Sequence, residues 1–308
     1  MSVFHPDLRA GRFIPKFSFG PRLTRLMADR APKPLQPEAG VRAEELIVPG
    51  PEGAPDVVLR VFRPEGLTAP APALLWVHGG GLVSGSPQQD DATNIAFARE
   101  LGITVAAVRY RFAPTHPAPA AAEDVYAGWV GLLSHAERLG IDTTRVAVGG
   151  ASAGGNLAAA LTLLARDRGG IQPAFQLLLY PMLDDRTVAR TDLDTRNVRV
   201  WTPKSNRFGW SSYLGVAPGS PGVSPYASPA RREDVSGLPP AWIGVGTLDL
   251  FYEEDLEYAR RLTDAGVPCE LYIVPGAFHG FDAVFRRADV TREFWLQQAQ
   301  ALGAALLA

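Results

Sequence analysis

The sequence has very little cysteine and no block of charges of one sign. Its 308 residues include a single cysteine, Cys269, so no internal disulfide can form and a hydrophobic core must hold the fold. Apolar residues make up 46% of the chain, which is enough for such a core. In the strand-like run CELYIV, we expect Cys269 to be a small buried apolar residue. The formal net charge is -2 and neither sign is clustered, so we predict no nucleic-acid partner.

Long apolar segments and phosphate-binding patterns are missing as well. No segment has eighteen unbroken apolar residues, and the N-terminal MSVFHPDLRAGRF lacks a basic stretch followed by an apolar one. We therefore expect no membrane span and, by default, a cytoplasmic protein. No G-x-G-x-x-G fits across residues 149–155, and no lysine follows that glycine cluster. We expect no nucleotide, no other cofactor and no metal.

Alternating strand and helix patterns predict an α/β fold. Eight short apolar and β-branched runs indicate strands, at residues 45–48, 57–62, 73–78, 103–108, 145–149, 175–180, 241–246 and 269–274. The first two are separated by a Pro/Gly turn, which predicts a hairpin. Apolar residues with helical spacing occur at 91–101, 118–139, 153–168, 253–265 and 289–307. The alternation predicts a mostly parallel eight-stranded sheet with helices on both faces.

Two segments interrupt this alternation and are predicted to be caps. Residues 1–40 are rich in proline, arginine and spaced aromatics, and residues 185–225 are rich in Thr, Arg, Ser, Pro and Trp. The first is expected to precede a main domain at 41–308, and the second to be an insertion within it. Apolar side chains of the first segment should pack on the domain or line the entrance to a pocket. They are Phe4, Leu8, Phe13, Phe17, Phe19, Leu23 and Leu26.

The strongest chemical signal is the run RVAVGGASAGGNLAAALTLLARD, which contains a strand, a glycine-flanked serine and a long helix. In a G-x-S-x-G turn of this kind, the serine sits on a strained strand-to-helix junction that exposes its hydroxyl as a nucleophile. The residues two before and two after it must be small, and Gly150 and Gly154 meet that need. Ser152 is therefore the predicted nucleophile. A glycine turn with a chance serine is the alternative.

A second glycine cluster, in ALLWVHGGGLVSG, follows the third predicted strand. Hydrolases with a serine elbow take backbone N–H groups from this place, because a developing oxyanion needs donors at about 3 Å. We predict that Gly80, Gly81 and Ala153, the residue after the serine, supply these donors. His78 precedes the glycine turn, and we expect it to hold the loop through a hydrogen bond and not to act as the base.

Chain order selects the predicted base and acid. After such a serine the acid comes first and the histidine second, and His279 is the only histidine that follows Ser152. A structural role is the alternative for His279. Asp249 follows the strand AWIGVG at the edge where open α/β sheets bind ligands, and it is the preferred acid. Asp184 and Asp185 are geometric alternatives, and a helix cap or a turn is the ordinary role of any of the three aspartates.

Several spaced motifs together resemble the bacterial hormone-sensitive-lipase-like esterases. They are HGGG at 78–81, YRFAPTHPAPAAAED at 110–124, GASAGG at 150–155, GTLDLFYEED at 246–255 and HGF at 279–281. The resemblance spans most of residues 57–282. It implies an α/β-hydrolase fold, an ester hydrolase without a cofactor, an N-terminal cap over the pocket, and the same triad of Ser152, Asp249 and His279.

The sequence therefore predicts a serine carboxylesterase that cleaves small-molecule esters through an acyl-enzyme. The resemblance implies short or medium acyl chains. An amide, a carbamate or an activated lactone would suit the same triad. The alternative of another class is a non-catalytic small-molecule receptor, like the plant gibberellin receptors that resemble this family but lack the triad histidine, and His279 argues against it. A homodimer is left open by the sequence.

Overall fold

The computed structural model describes residues 3–21, 24 and 39–307, and a single sheet lies at its centre. The strands are β1 (Val41–Val48), β2 (Val57–Pro64), β3 (Ala71–Val77), β4 (Thr104–Val108), β5 (Ile141–Ala151), β6 (Gln176–Leu179), β7 (Ala241–Gly246) and β8 (Cys269–Val274). Their order in the sheet is β1-β2-β4-β3-β5-β6-β7-β8. Each strand lies where the sequence predicts one, and β1 and β5 are longer than expected.

Strand direction divides the sheet into two parts. β1 pairs with β2, and β2 with β4, in antiparallel fashion, so the predicted hairpin is confirmed. All other neighbours are parallel. In the register of β3 and β5, Val77 lies opposite Gly150. The loop after β3 and the turn after β5 therefore leave the sheet side by side, which brings the two glycine clusters together.

Helices cover both faces of the sheet. They are α1 (Asp91–Leu101), α2 (Ala120–Ser134), α3 (Ala136–Leu139), α4 (Ala153–Asp167), α5 (Pro203–Leu214), α6 (Tyr252–Asp264), α7 (Phe281–Val284) and α8 (Asp289–Leu306), with 3₁₀ helices at Pro6–Phe13, Pro87–Asp90, Asp185–Ala189 and Pro229–Arg231. The single helix predicted over 118–139 is divided into α2 and α3, because His135 has a non-helical backbone with φ -100° and ψ 11°. Among the described residues, no helix has both the length and the apolar character to cross a membrane.

Two apolar layers enclose the sheet. Strands β3, β4, β6 and β7 are buried at every position, as expected for a parallel sheet covered on both faces. One layer includes α2, α4 and α6, with Trp129 and Leu161 among its buried side chains. The other includes α1 and α8, with Phe97 and Phe294. Truncating one such side chain to alanine costs about 2–5 kcal/mol, so this packing holds the loops at the sheet edge in a defined geometry.

Cys269 is less buried than the sequence predicts. The side chain is only half-buried, because β8 is an outer strand of the sheet and has a neighbour on one side only. Burial is still sufficient to raise the pKa of the thiol to about 12. The thiol is therefore protonated at neutral pH and is a poor nucleophile.

The N-terminal segment has a buried part and an exposed part. Phe4 and Leu8 are buried in the layer of α1 and α8. Phe13 and Phe17 are 73% and 45% exposed. The predicted apolar surface therefore packs on the domain at one end and reaches solvent at the other. Two of its predicted members lie outside the described residues: Leu23 and Leu26.

The segment 185–225 contains a helix that the sequence pattern does not indicate, α5. The helix begins at Pro203, directly after Thr202, whose side chain accepts a hydrogen bond from the backbone N–H of Ser205. The same segment contacts the N-terminal one, because the buried guanidinium of Arg199 donates to the main-chain oxygens of residues 11 and 12. The two interrupting segments are therefore joined to each other as well as to the sheet.

Candidate active site

Ser152 lies at the turn from β5 into α4. Its backbone has φ 58° and ψ -118°, a strained conformation that non-glycine residues rarely adopt. A Cβ on Gly154 would lie 2.0 Å from the main-chain oxygen of Val77, so the turn has no space for a side chain there. The N–H of Ser152 donates to the carbonyl of Leu179 at 2.8 Å, which ties the turn to β6. The geometry is that expected of a G-x-S-x-G turn, with the serine at the carboxyl edge of the sheet.

Three side chains from three loops form one hydrogen-bonded row. Nε2 of His279 lies 2.9 Å from Oγ of Ser152, and Nδ1 of His279 lies 2.8 Å from Oδ2 of Asp249. The other carboxylate oxygen of Asp249 accepts from the backbone N–H of Phe251 at 3.0 Å. When Nδ1 of the neutral ring donates to Asp249, Nε2 carries the lone pair that can accept the serine proton. The structure thus brings together the three residues that chain order selects.

The glycine loop after β3 lies against the serine. A Cβ on Gly79 would be 3.5 Å from Cβ of Ser152. Gly80 and Gly81 have φ values of 134° and 63°, which only glycine adopts without strain. In the part of the chain that the structure describes, the amides of Gly80, Gly81 and Ala153 donate to no protein acceptor. These three N–H groups are therefore available to a negatively charged oxygen next to Ser152.

His78 supports the glycine loop. Its Nδ1 donates to the main-chain oxygen of Gly79 at 2.8 Å. Its ring stacks on Tyr110 with the centroids 4.4 Å apart, and the Tyr110 hydroxyl donates to the His78 carbonyl at 2.9 Å. Burial lowers the pKa of His78 to about 4, so the ring is neutral at physiological pH. These contacts agree with the structural role predicted for this histidine.

The two alternative acids have partners elsewhere. Asp184 caps the 3₁₀ helix that follows it and pairs with Arg186. Asp185 is buried and accepts two hydrogen bonds from the guanidinium of Arg231. Their ordinary roles as a cap and a structural ion pair explain both side chains. The described residues also contain no group of three or more His, Cys, Asp or Glu side chains placed to hold a metal ion.

Aromatic side chains that sequence reasoning did not single out surround His279. The ring centroids of Tyr180, Phe251 and Trp201 lie 4.9, 5.2 and 6.4 Å from that of the imidazole. Trp201 also covers the glycine loop, because a Cβ on Gly81 would be 2.1 Å from its ring. Tyr180 directly follows β6, and Phe251 lies two residues after Asp249 in the loop after β7. Both could have been found in the sequence, because ligand sites of open α/β sheets lie at the carboxyl ends of the strands. Trp201 comes from the 185–225 segment, where no sequence pattern indicates its position.

Comparison with known proteins gives one family. The sequence matches the family described as alpha/beta hydrolase fold over residues 74–283, which include the glycine loop, the serine turn and His279. A relative, the carboxylic ester hydrolase LipN of Mycobacterium tuberculosis, is 38% identical over 255 residues, which are 81% of this chain and 67% of LipN. The ethyl acetate hydrolase of Pseudomonas putida is 33% identical over 226 residues, which are 72% of this chain and 70% of that enzyme.

A solved structure is similar over nearly the whole chain. A bacterial heroin esterase superimposes with a TM-score of 0.89 and 38% sequence identity, and the match covers 99% of this chain and 98% of that one. The similar proteins named here are all hydrolases of esters.

Proposed function

The chain belongs to the α/β-hydrolase family, among its hormone-sensitive-lipase-like esterases, and on this premise we propose that it is a serine carboxylesterase for short- to medium-chain acyl esters. The observation that carries the proposal is the hydrogen-bonded row of Ser152, His279 and Asp249. It supplies a hydroxyl, a neighbouring ring nitrogen that can take its proton, and a carboxylate on the opposite ring nitrogen. These are the groups that acyl transfer through a covalent intermediate requires.

In the first half of the reaction, Oγ of Ser152 attacks the acyl carbonyl while Nε2 of His279 takes the hydroxyl proton. The imidazolium then gives this proton to the oxygen of the leaving alcohol, so the C–O bond breaks and an acyl-enzyme remains. Asp249 keeps the proton on Nδ1 of His279 and stabilises the charged ring. The N–H of Phe251 donates to the second oxygen of Asp249 and so orients the carboxylate for this role.

In the second half, water replaces the alcohol. His279 takes a proton from the water, the resulting hydroxide adds to the acyl carbon, and the proton returns to Oγ of Ser152 as the acid leaves. Both halves pass through a tetrahedral oxyanion. We assign its binding to the amides of Gly80, Gly81 and Ala153, assisted by the positive end of α4. Losing one such donor typically costs about 10²–10³ in rate.

The preference for short or medium acyl chains has support from the side chains around the site. Trp201 is 4% exposed and is held by a hydrogen bond from its Nε1 to Oδ1 of Asn206, so it forms a fixed wall over the glycine loop. The name of the ethyl acetate hydrolase agrees with a small acyl group.

We also propose that residues 1–40 and 185–225 act as caps over the site. The ring of Phe19, from the first segment, lies 5.5 Å from that of Trp201, from the second. The backbone N–H of Phe19 donates to Oγ of Ser205 at 3.0 Å, at the start of α5. Because Trp201 lies over the glycine loop, its contact with Phe19 supports a cap to which both segments contribute.

The test is hydrolysis of a series of p-nitrophenyl esters, from acetate to palmitate, by the wild-type protein and by Ser152→Ala. We expect serine-dependent turnover with a maximum between acetate and octanoate. A p-nitroanilide of the preferred acid separates an esterase from an amidase that uses the same groups. A folded protein that turns over none of these compounds, or turns them over equally without Ser152, contradicts the proposal.

A further inference from the structure

Tyr180 lies beside the catalytic imidazole and is held in an unusual backbone conformation. It directly follows β6 and has a φ of 36°, in a region that bulky residues avoid. Its ring meets that of His279 at an interplanar angle of 67°, with the centroids 4.9 Å apart. Its backbone N–H donates to the carbonyl of Gly244 in β7 at 2.7 Å. The strained backbone is therefore fixed to the sheet, and the ring is placed against the histidine.

The hydroxyl of Tyr180 reaches the loop that carries the histidine. It donates to Oδ1 of Asp282 at 2.8 Å. Asp282 is three residues after His279, at the start of α7, and Phe281 between them is fully buried. The hydrogen bond thus joins the carboxyl end of β6 to the histidine loop. Together with the hydrogen bond between His279 and Asp249, it attaches the histidine loop at two points.

The surroundings of this pair make the hydrogen bond hard to replace by water. Burial raises the pKa of Tyr180 and of Asp282, so the tyrosine stays a neutral donor. The titratable groups that act on the pair are Asp90, Asp249 and His279. Tyr180 is buried and Asp282 is half-buried, so losing one partner leaves the other poorly satisfied and allows the loop to shift.

We propose that Tyr180 is a positioning residue for His279: through its hydroxyl and Asp282 it fixes the histidine loop so that Nε2 faces Ser152 and Nδ1 faces Asp249. The inference rests on the proposed role of His279 as the base. The aromatic ring and the hydroxyl of Tyr180 have separate functions. The ring sets the plane of the imidazole, and the tether, which is the hydrogen bond from the hydroxyl to Asp282, sets the position of the histidine loop. A displacement of a catalytic group by about 1 Å costs up to about 10² in rate.

A simpler alternative is that Tyr180 only fills space. Its ring also stacks on Phe294 of α8, with the centroids 6.2 Å apart, so it belongs to the core. The variant Tyr180→Phe keeps this ring and removes the tether alone. The variants Asp282→Ala and Asp282→Asn test the other end, because the asparagine side chain still offers an oxygen to the tyrosine and the alanine does not.

The experiment measures kcat and KM with p-nitrophenyl butyrate, and the rate at which a fluorophosphonate labels Ser152. We expect Tyr180→Phe and Asp282→Ala each to lower kcat and the labelling rate about tenfold with KM within about twofold, since the substrate groups are untouched. Asp282→Asn should recover most of the loss. The double variant Tyr180→Phe/Asp282→Ala should be no slower than either single one, because both remove the same bond.

A matched control is Tyr226→Phe. Its hydroxyl also donates to an aspartate, Oδ2 of Asp167 at 2.7 Å, but on the exposed surface and in no contact with the triad. This variant should retain the wild-type kcat. The positioning role is overturned when Tyr180→Phe matches this control, or when Asp282→Asn is as slow as Asp282→Ala. Labelling of Ser152 without ester turnover in the wild type would disprove the proposed esterase function while still testing the tether.

Discussion

The loops at the carboxyl edge of the sheet and the two segments that cover them differ in how their backbones are held. The serine turn and the glycine loop leave adjacent parallel strands, β5 and β3. β3 is buried at every position, and β5 is buried over the stretch next to the turn, residues 146–150. The described residues of 1–40 and 185–225 contain no strand and are held by isolated contacts, such as those of Arg199 and the hydrogen bond from the N–H of His5 to the carbonyl of Gly276. The first arrangement fixes atoms to the sheet along whole strands. The second fixes them at separate points, both to each other and to the domain.

We expect the two regions to have different functions because of this difference. The reacting groups and the three amides come from the sheet edge, where a small change in backbone position would misplace them. The aromatic wall over the site comes from the segments, where Trp201 follows Val200, another residue with positive φ (64°). Substitutions at the sheet edge should therefore change kcat, and substitutions in the two segments should change the preference for acyl chain length.

The largest effect is expected from His279→Ala. Without the base, the serine keeps its proton, so kcat should fall by about 10⁴ or more while KM changes little. The measurement is steady-state hydrolysis of p-nitrophenyl butyrate. The exposed His116 provides the matched control, since His116→Ala removes an imidazole that is not part of the hydrogen-bonded row. If the kcat of His279→Ala is within tenfold of the wild-type value, the groups at the sheet edge do not carry the chemistry as proposed.

The next effect is expected from Gly81→Ala. The new Cβ would meet the ring of Trp201 at 2.1 Å and would also strain a backbone with φ 63°. Displacement of the loop should lower kcat about 10²-fold, as loss of an oxyanion donor does. Gly102 has nearly the same φ, 61°, with no atom near its Cβ position. If Gly102→Ala loses as much kcat as Gly81→Ala, backbone strain in general and not the site would be responsible.

A smaller effect, on selectivity, is expected from Trp201→Ala in the covering segment. Removing the indole enlarges the space over the glycine loop, so longer acyl chains gain contacts and room. The ratio of kcat/KM for octanoate to that for acetate should rise about tenfold, the scale of a few methylene contacts. Phe13→Ala removes an exposed aromatic of the other segment and should leave the ratio unchanged. If Trp201→Ala keeps the wild-type ratio, the covering segment does not determine the preference for acyl chain length.

The smallest effect concerns a half-buried carboxyl, that of Asp90, which accepts from Nε1 of Trp76 at 2.8 Å. Burial raises the pKa of Asp90 to about 7, from 3.8. The folded state therefore binds a proton that the unfolded state has lost between pH 4 and 7, and stability falls as the pH rises through this window. Asp90→Asn keeps an acceptor and cannot ionise. Its Tm should exceed that of wild type by roughly 2–6 °C at pH 8 and by little at pH 4.

Thermal unfolding of the wild type and of Asp90→Asn at pH 4 and pH 8 tests whether the gain in Tm depends on pH in this direction. A Tm gain that is equal at both would attribute the effect to packing and not to ionisation. Asp91→Asn is unsuitable as a neutral control, because Asp91 pairs with the fully buried Arg60. Asp56→Asn, at an exposed carboxyl, is suitable and should show no gain at pH 8.

Much of the site could be predicted because its motifs are local or ordered along the chain. G-x-S-x-G requires small residues around Ser152, and the contact of Gly154 with Val77 shows why. His279 and Asp249 follow from chain order and from the position of strand ends. Trp201 could not be predicted, because its place over Gly81 depends on how an irregular segment folds back. The half-buried Cys269 depends on which strand lies at the edge, which strand order in the sequence does not determine.

The sequence by itself determined the strand and helix pattern, the strained serine turn and the order of the reacting residues, because these depend on backbone propensities and short spacings. Its expectations of a cytoplasmic location and of a possible homodimer stay predictions. The tertiary structure alone decided which acid meets His279, which aromatic rings enclose it, and that Tyr180 reaches Asp282. These contacts join residues that lie from 28 positions apart, for Phe251 and His279, to 102 positions apart, for Tyr180 and Asp282. Such contacts form only when the packed sheet brings its strand ends together.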